Sequence, residues 1–301
     1  MKASQRFMLG TCVAAAVLAA CGEQPQSAIP AGVAAAAPSW MLPGAKRNDL
    51  LYVSYFYGND VYAYTYPGGK LVGTLTGISD AQGECTSKKI KGNWWVVATG
   101  SNQVMEFAHG GTSPLATLNV TAGEPGSCAV DPKTGNVAVT MVTNDYVVVY
   151  KNGSGSGTTY TAPFDAFFAG YDDRGNLFVD GSGQTSLAEL PRGGSEFVPI
   201  SANQEIIFPG GVAWYGKYLA VGDQDTSSIY QFNISGTGAT LAGTTALSGG
   251  GAGGFWIQKH RVISADGGDV GIWKYPAGGS PRKTIAGSFY GGIDTVISAA
   301  K

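Results

Sequence analysis

Residues 126 to 150 read Gly126-Ser-Cys-Ala-Val-Asp-Pro-Lys-Thr-Gly-Asn-Val-Ala-Val-Thr-Met-Val-Thr-Asn-Asp-Tyr-Val-Val-Val-Tyr150. This stretch contains three short apolar runs that are rich in Val, and polar turns at residues 131–136 and 143–145 separate them. Short runs of this kind, bounded by Gly, Asp, Asn or Pro, are typical of β-strands joined by tight turns. The stretch therefore predicts three strands in succession.

The same unit recurs along the chain from Leu50 onward. Its third runs align without gaps and end at Tyr64, Phe107, Tyr150, Leu190, Phe232 and Tyr275, at intervals of 43, 43, 40, 42 and 43 residues. A period near 42 with about four short strands is typical of a β-propeller blade. A helical repeat would show a 3.6-residue periodicity, and none is visible. The six copies predict an all-β fold, a six-bladed β-propeller; an open β-sandwich is the alternative.

The order of strands within a repeat predicts how the ring closes. The first repeat starts at Asp49 without an inner strand of its own, and residues 291–299 read as an inner strand with nothing after it. We expect this C-terminal strand to complete blade 1, because the pairing removes the two sheet edges that an open array would expose. The propeller is therefore predicted over residues 49–301.

The N-terminal segment predicts export and lipid attachment. Lys2 and Arg6 precede an apolar stretch, residues 7–20, that is too short to span a bilayer as a helix. It ends in Leu-Ala-Ala-Cys21, which resembles the lipobox of bacterial lipoproteins and implies a lipid on Cys21. We expect a signal peptide over residues 1–20. The alternative is an ordinary signal peptide that happens to end before a Cys.

Residues 21–48 predict a lipidated N-terminus followed by a flexible linker. The segment has no hydrophobic period and too little bulk to form a core. It would hold the propeller off the membrane. Gly22, where Asp is absent, resembles an outer-membrane sorting signal. The expected location is therefore the bacterial cell envelope, lipid-anchored in the outer membrane.

The charge balance bears on the class of partner. Loss of Lys2 and Arg6 with residues 1–20 leaves 17 basic and 21 acidic residues, a net charge of −4. This mild acidity argues against nucleic acid, which needs a basic face. The chain also shows no polybasic patch for a membrane surface, so membrane attachment would depend on the lipid.

The cysteines fall into two groups. Cys12 leaves with the signal peptide and Cys21 carries the lipid, so Cys85 and Cys128 remain. They are 43 residues apart, one repeat, and occupy the same position on the inner strands of neighbouring blades. The exported compartment is oxidising, which favours a disulfide if the Cα atoms approach within about 7 Å. Two buried free thiols are the alternative.

Catalytic motifs are absent from the sequence. His109 and His260 are the only histidines, and neither has a Cys or an acidic cluster at metal-ligand spacing. No Gly-x-Ser-x-Gly motif precedes a helix. The Gly-rich segments 153–157 and 249–254 have no helix after them, so they predict loops between blades and not phosphate-binding sites. We predict no catalytic residue, no metal site and no cofactor.

Two segments carry a family resemblance. Residues 124–139 and 208–223 look like NHL-type repeats and also resemble the repeats of six-bladed lactonases of the SMP-30/gluconolactonase kind. The resemblance runs through all six repeats and is carried mainly by turn Gly and strand Val. It implies a divalent metal on the propeller axis, held by Glu, Asn and Asp side chains at the starts of inner strands.

The chain departs from that metal-binding pattern. The lactonases have Pro-Asn-Gly and Pro-Asp-Gly at positions where this chain has Gly210 and Gly253, which offer no side chain. Glu84, Glu124 and Asp294 lie near inner-strand starts and could form a different acidic ring. The resemblance therefore supports the fold more strongly than it supports lactonase chemistry.

The leading hypothesis for function is a binding or interaction module for a small molecule, glycan or protein. Loops from outer to inner strands and from second to third strands should share one face, where aromatic and acidic side chains converge. The predicted ligand-binding residues are Tyr57, Asp80, Glu84, Glu124, Asp165, Phe208, Asp223 and Asp266. For each of them the alternative is a carboxylate that solvates the face or an aromatic ring that plugs the channel mouth.

Two further hypotheses belong to other classes. One is a metal-dependent lactonase or other hydrolase, or a lyase, of the SMP-30-like propeller type. The other is a structural surface protein whose copies pack in the envelope. Bound metal in the purified protein would distinguish the enzyme from the binding module.

Overall fold

The computed structural model describes residues 38–87, 92–183, 185–265, 268–287 and 292–300. The regular elements in this part of the chain are 26 β-strands and four short 3-10 helices. The strands form six sheets of four or five strands, arranged as a six-bladed β-propeller. The predicted fold class is therefore confirmed. No helix within these ranges is long and apolar enough to cross a membrane.

The first three blades take up the N-terminal half of the described chain. Blade 1 contains β1 (Trp40–Met41), β2 (Leu50–Tyr55), β3 (Asp60–Thr65) and β4 (Leu71–Thr76). Blade 2 contains β5 (Ala81–Cys85), β6 (Trp94–Ala98), β7 (Gln103–Phe107) and β8 (Pro114–Asn119). Blade 3 contains β9 (Pro125–Val130), β10 (Val137–Met141), β11 (Tyr146–Tyr150) and β12 (Thr158–Thr161).

The other three blades follow in the same order. Blade 4 contains β13 (Ala166–Tyr171), β14 (Leu177–Gly181), β15 (Leu187–Leu190) and β16 (Val198–Pro199). Blade 5 contains β17 (Ser201–Ala202), β18 (Pro209–Tyr215), β19 (Tyr218–Asp223), β20 (Ser228–Ser235) and β21 (Gly238–Ala246). Blade 6 contains β22 (Phe255–Gln258), β23 (Arg261–Ala265), β24 (Asp269–Lys274) and β25 (Lys283–Ala286). The final strand is β26 (Gly292–Ser298), and the 3-10 helices are Ala45–Arg47, Phe56–Gly58, Thr99–Ser101 and Lys151–Gly153.

The C-terminal strand closes the ring. β26 pairs antiparallel with β2, with Leu50 opposite Ser298 and Val53 opposite Thr295. The Thr295 hydroxyl also donates a hydrogen bond of 3.1 Å to the Ile263 carbonyl of blade 6. β26 is thus the inner strand of blade 1, as predicted, and it ties blade 1 to the last blade.

The core lies in layers between adjacent blades. Between blades 1 and 2, the ring of Tyr52 stacks on that of Trp94 with centroids 3.9 Å apart, and Trp94 packs in turn against Phe107. Buried Val, Leu and Ile side chains from the facing sheets surround these rings. β-branched and aromatic residues suit such half-buried sheet faces, which explains why the short Val-rich runs form strands.

The inner strands are irregular where they begin. Register shifts interrupt the pairing of the inner strands of blades 1 to 5, for example between Ala81 and Glu84 in blade 2. A bulge of this kind bends a strand and redirects its side chains. These irregularities therefore help to decide which side chains reach the propeller axis.

Candidate ligand-binding site

The inner strands enclose a cavity of about 150 Å³ on the axis, which we call the axial cavity. β5, β9, β13, β18, β22 and β26 all contribute to its lining. The lining reaches Pro132 and the exposed Asp173, which follow the ends of inner strands in blades 3 and 4. The cavity therefore extends toward the loops that join inner to second strands.

Aromatic side chains line one side of the axial cavity. Tyr171 and Trp214 occupy equivalent positions in blades 4 and 5, opposite Leu177 and Leu219 of the second strands, and Trp256 lies nearer the start of the inner strand of blade 6. Phe168 and Phe255 lie on the same three blades, and we call these five residues the aromatic wall. Large rigid rings of this kind suit the apolar part of a ligand.

Two buried carboxyls lie on the blades across the axis, Glu84 on β5 of blade 2 and Asp294 on β26 of blade 1. We call them the carboxyl pair. Their residues are 5% and 6% exposed. Asp294 accepts hydrogen bonds at Oδ2 from the Glu84 backbone N–H (2.9 Å) and at Oδ1 from the Thr295 backbone N–H (2.7 Å). In contrast, neither carboxyl oxygen of Glu84 accepts a hydrogen bond of standard geometry within the described chain, and the Val296 backbone amide acts on this carboxyl only as a less well-aligned donor.

The environment shifts the pKa values of both carboxyls, by burial and by their different hydrogen bonds. Burial raises the pKa of Asp294 to about 7, and the amides of Glu84 and Thr295 act in the opposite direction. Burial also raises the pKa of Glu84 well above its usual range; the charge of Asp294 adds to this effect and the Val296 backbone amide opposes it. Because donated N–H bonds stabilise the ionised form, Asp294 gives up its proton before Glu84 as pH rises, so above about pH 7 Asp294 carries the negative charge of the pair and Glu84 holds the proton.

A disulfide adjoins the carboxyl pair. The sulfurs of Cys85 and Cys128 are 2.05 Å apart and their Cα atoms are 5.6 Å apart. The bond joins the inner strands of blades 2 and 3, and both residues line the axial cavity. It holds the strand that carries Glu84 against its neighbour.

The described residues do not fit the metal site that the lactonase resemblance implies. Within the described ranges, no three His, Cys, Asp or Glu side chains are grouped so that they could hold a metal. At Gly210 an added Cβ atom would lie 1.7 Å from the Ala252 carbonyl oxygen, so no side chain fits there. The Gly211 N–H donates to the Gly253 carbonyl at 2.7 Å. Here blades 5 and 6 meet backbone to backbone, where the lactonases place ligands.

The acidic ring suggested by the sequence forms in part. Glu84 and Asp294 meet at the cavity, whereas Glu124 is exposed and does not line it. Of the eight predicted ligand-binding residues, Asp266 lies outside the described residues, as does the predicted lipid attachment site, Cys21. Of the remaining seven, Glu84 is the one that lines the axial cavity.

The other six residues lie on loops or at strand ends, away from the cavity. Tyr57 is 72% exposed and Phe208 is 51% exposed. Asp80 and Asp165 are half-buried, and their backbone N–H groups donate to Asn59 Oδ1 and Ser182 Oγ of neighbouring loops, respectively. Their role in ligand binding stays a prediction.

Asp223 has a structural role in this structure. It is fully buried, and its carboxylate accepts hydrogen bonds from the backbone N–H groups of Ile207 (3.2 Å) and Phe208 (3.1 Å). These bonds fix the loop that leads into β18. Because both carboxylate oxygens already accept backbone hydrogen bonds, Asp223 has little capacity left to bind a ligand. Its role in the structure is to hold the loop before β18.

The sequence reasoning did not identify the aromatic wall. A partial signal is present in the sequence, since an aromatic residue recurs one repeat apart at 171 and 214. These two positions lie at the far ends of their inner strands, away from the loops where the predicted site residues are placed.

Comparison with known proteins supports the fold. No protein-family model matches the chain, and no curated protein matches it in sequence. A protein of unknown function from Bacteroides caccae is 12% identical, with a TM-score of 0.62 over 83% of this chain and 99% of that one. A chain of a nidogen/laminin complex is 11% identical, with a TM-score of 0.67 over 84% of this chain and 100% of that one.

A streptogramin B lyase structure is 13% identical, with a TM-score of 0.52 over 76% of this chain and 71% of that one. At these identities the similarity supports the fold alone, a six-bladed propeller. Propellers of this kind host binding proteins and enzymes alike, so the function has to be argued from the site.

Proposed function

We propose that this protein is an envelope-anchored bacterial lipoprotein whose propeller binds a small molecule in the axial cavity. One observation carries the binding proposal: the Glu84 carboxyl is buried and lines a cavity, yet neither of its oxygens accepts a hydrogen bond of standard geometry in the described chain. A buried polar group without a partner is costly. A ligand that supplies the missing partner recovers that free energy and buries its apolar part against the aromatic wall.

The proposed anchor rests on the sequence around Cys21. The preceding apolar segment has the length and charged start of a signal peptide, and Leu-Ala-Ala-Cys resembles a lipobox. Gly22 favours the outer membrane. In this arrangement the linker would hold a binding domain away from the bilayer, and the ligand would come from the surrounding compartment.

A cavity-blocking variant tests the binding proposal. Val130 lines the axial cavity at the position where blades 4 and 5 carry Tyr171 and Trp214, so Val130→Trp would place a further aromatic ring there. We expect small-molecule hits from a thermal-shift screen of the full chain to lose their stabilising effect in this variant. Leu115→Trp is the matched control, because Leu115 is 57% exposed on the outer strand β8.

The screen has a clear negative outcome. Hits that stabilise wild type and Val130→Trp equally would place the binding site elsewhere. A screen in which no compound stabilises wild type more than it stabilises Val130→Trp would overturn the axial-cavity proposal. Native mass spectrometry of wild type and Val130→Trp with each hit measures independently how many ligand molecules bind per chain.

A second candidate function is a hydrolase or lyase. The observation that favours it is the unequal carboxyl pair: beside one cavity, Asp294 accepts two backbone N–H bonds and Glu84 accepts none of standard geometry. Carboxyls whose pKa values are pushed apart by their environment can serve as proton donor and proton acceptor. NMR of each screened ligand after prolonged incubation tests this candidate: chemical change that disappears in Glu84→Gln supports an enzyme, and unchanged ligands support a binding module.

A further inference from the structure

We infer that the axial cavity binds an organic primary amine in its ammonium form, with the ammonium group donating to Glu84 and the carbon skeleton lying against the aromatic wall. This inference rests on the proposed function and narrows it to one class of ligand.

The hydrogen-bonding capacity of the site selects the class. The described lining residues include the acids Glu84, Asp173 and Asp294, and none of the described lining residues is basic. Neither oxygen of Glu84 accepts a hydrogen bond of standard geometry from the described residues. An ammonium group has three N–H donors and no acceptor, whereas an alcohol has one donor and a carboxylate has none. The ammonium ion is therefore the best complement to this carboxyl.

The aromatic wall supports the same class. The order of the blades in the ring places Trp214 of blade 5 across the axis from Glu84 of blade 2. Rings of Trp, Tyr and Phe attract cations at their faces, and Trp is the strongest of the three. The stacking of Trp214 on Phe178, with ring centroids 6.1 Å apart, holds the indole in place. A cation between these groups meets a carboxylate on one side and π-systems on the other.

The volume limits the size of the amine. A dry cavity of about 150 Å³ in an engineered protein takes up benzene, and the axial cavity has about the same volume. A single phenyl ring or a short aliphatic chain therefore fits, with the amine at the end near Glu84.

Binding replaces the proton on Glu84 with the ammonium ion. In the empty cavity Glu84 holds a proton, because burial and the nearby charge of Asp294 raise its pKa. When the ammonium ion binds, the Glu84 proton leaves to solvent and the carboxylate accepts the N–H groups, so one proton is released for each amine bound. Affinity should therefore rise with pH until the amine itself loses its charge.

The other titratable groups near Glu84 do not reverse this trend. Asp294 faces it from β26 and keeps two backbone hydrogen bonds to its carboxylate. Tyr52 on β2 and Tyr171 on β13 have pKa values raised mainly by burial, so both stay neutral. Asp173 is exposed at the edge of the lining, where solvent screens its charge.

Three probes that differ only at the end group test the inference. We would titrate the full chain with phenethylamine, 2-phenylethanol and phenylacetate by calorimetry. We expect phenethylamine to bind at least about tenfold more tightly than the other two, since a hydrogen bond to a charged group is worth about that factor. Calorimetry in two buffers of different ionisation enthalpy should show one proton released per amine, and that reading needs no variant.

Variants locate the effect on Glu84. Glu84→Gln should weaken phenethylamine binding by about tenfold or more and leave 2-phenylethanol unchanged, because the amide keeps the shape and loses the charge. Glu124→Gln is the matched control, an acidic residue that is exposed and outside the cavity lining. It should bind phenethylamine as wild type does.

The outcomes separate this inference from the proposed function. Cavity-dependent hits that are neutral or anionic, with phenethylamine binding no better than 2-phenylethanol, would overturn the amine class and leave the binding module standing. Amine binding that releases no proton, or that is unchanged in Glu84→Gln, would overturn the amine class as well. If no compound in the screen stabilises wild type more than Val130→Trp, the proposed function is overturned, and the amine inference, which rests on it, is overturned as well.

Discussion

Replacing Asp294 by Asn should change how the stability of the propeller depends on pH. Asp294 is fully buried, and burial raises its pKa to about 7 from 3.8 for a free aspartate. The folded chain therefore binds the Asp294 proton more tightly than the unfolded chain does. The stability that this proton contributes is fully present below about pH 4 and is lost as pH rises through about 7.

The size of the effect follows from the shift. Each tenfold change in proton affinity is worth about 1.4 kcal/mol, so the rise in the pKa of Asp294 corresponds to a loss of about 4 kcal/mol in the free energy of unfolding between about pH 4 and pH 8. The Asn side chain does not titrate, so this loss should be absent in Asp294→Asn. The variant also gives up one of the two N–H bonds to the carboxylate, a cost of about 1–3 kcal/mol that is independent of pH.

Urea unfolding at a series of pH values, followed by Trp fluorescence, measures both quantities. The decisive observation is the difference between the two pH profiles, because the exposed acids of the chain contribute equally to both. Removing the charge of Asp294 also makes the pKa of Glu84 less raised, which increases the difference in the same direction. Glu124→Gln is the control and should run parallel to wild type, since its side chain is exposed. Parallel profiles for wild type and Asp294→Asn would show that Asp294 is ionised at no cost, and would refute the description of the carboxyl pair.

Three further predictions concern the ring and its anchor. Deleting residues 292–301 should abolish cooperative unfolding, because blade 1 loses its inner strand and β2 its partner; a truncated chain that melts near the wild-type temperature would contradict the closure. Reducing the Cys85–Cys128 bond should lower the free energy of unfolding by about 4 kcal/mol, the loop entropy for a 43-residue separation; an unchanged urea midpoint under reducing conditions would oppose this. Cys21→Ala should move the protein from the detergent phase to the aqueous phase, or leave its precursor uncleaved; partitioning like that of wild type would rule out the lipid anchor.

The fold could be predicted because its signals are local and repeated. Each blade needs only short apolar runs and tight turns, and both are visible in residues 126–150. The number of repeats at a constant period gives the number of blades, and the unpaired run at the C-terminus indicates how the ring closes. None of these steps requires knowledge of where a particular side chain points.

The site could be predicted only in part, because it depends on side-chain directions across blades. Glu84 and Asp294 are 210 residues apart, and ring closure brings them together at a contact of 2.9 Å. The role of Asp223 depends on where the N–H groups of Ile207 and Phe208 point, which a turn pattern does not reveal. The bulges that redirect the inner strands are likewise invisible in the order of apolar and polar residues.

The carboxyl pair links ring closure to ligand binding. The Glu84 backbone donates to Asp294 across the boundary between blade 2 and the C-terminal strand, so the site exists only when β26 has docked. A ligand that binds the closed ring alone must stabilise it, by an amount that grows with ligand concentration. Two buried acids beside each other weaken the empty ring at neutral pH. In the proposed function, occupation of the cavity by a cation would offset that cost, which gives a physical reason for placing both acids on the axis.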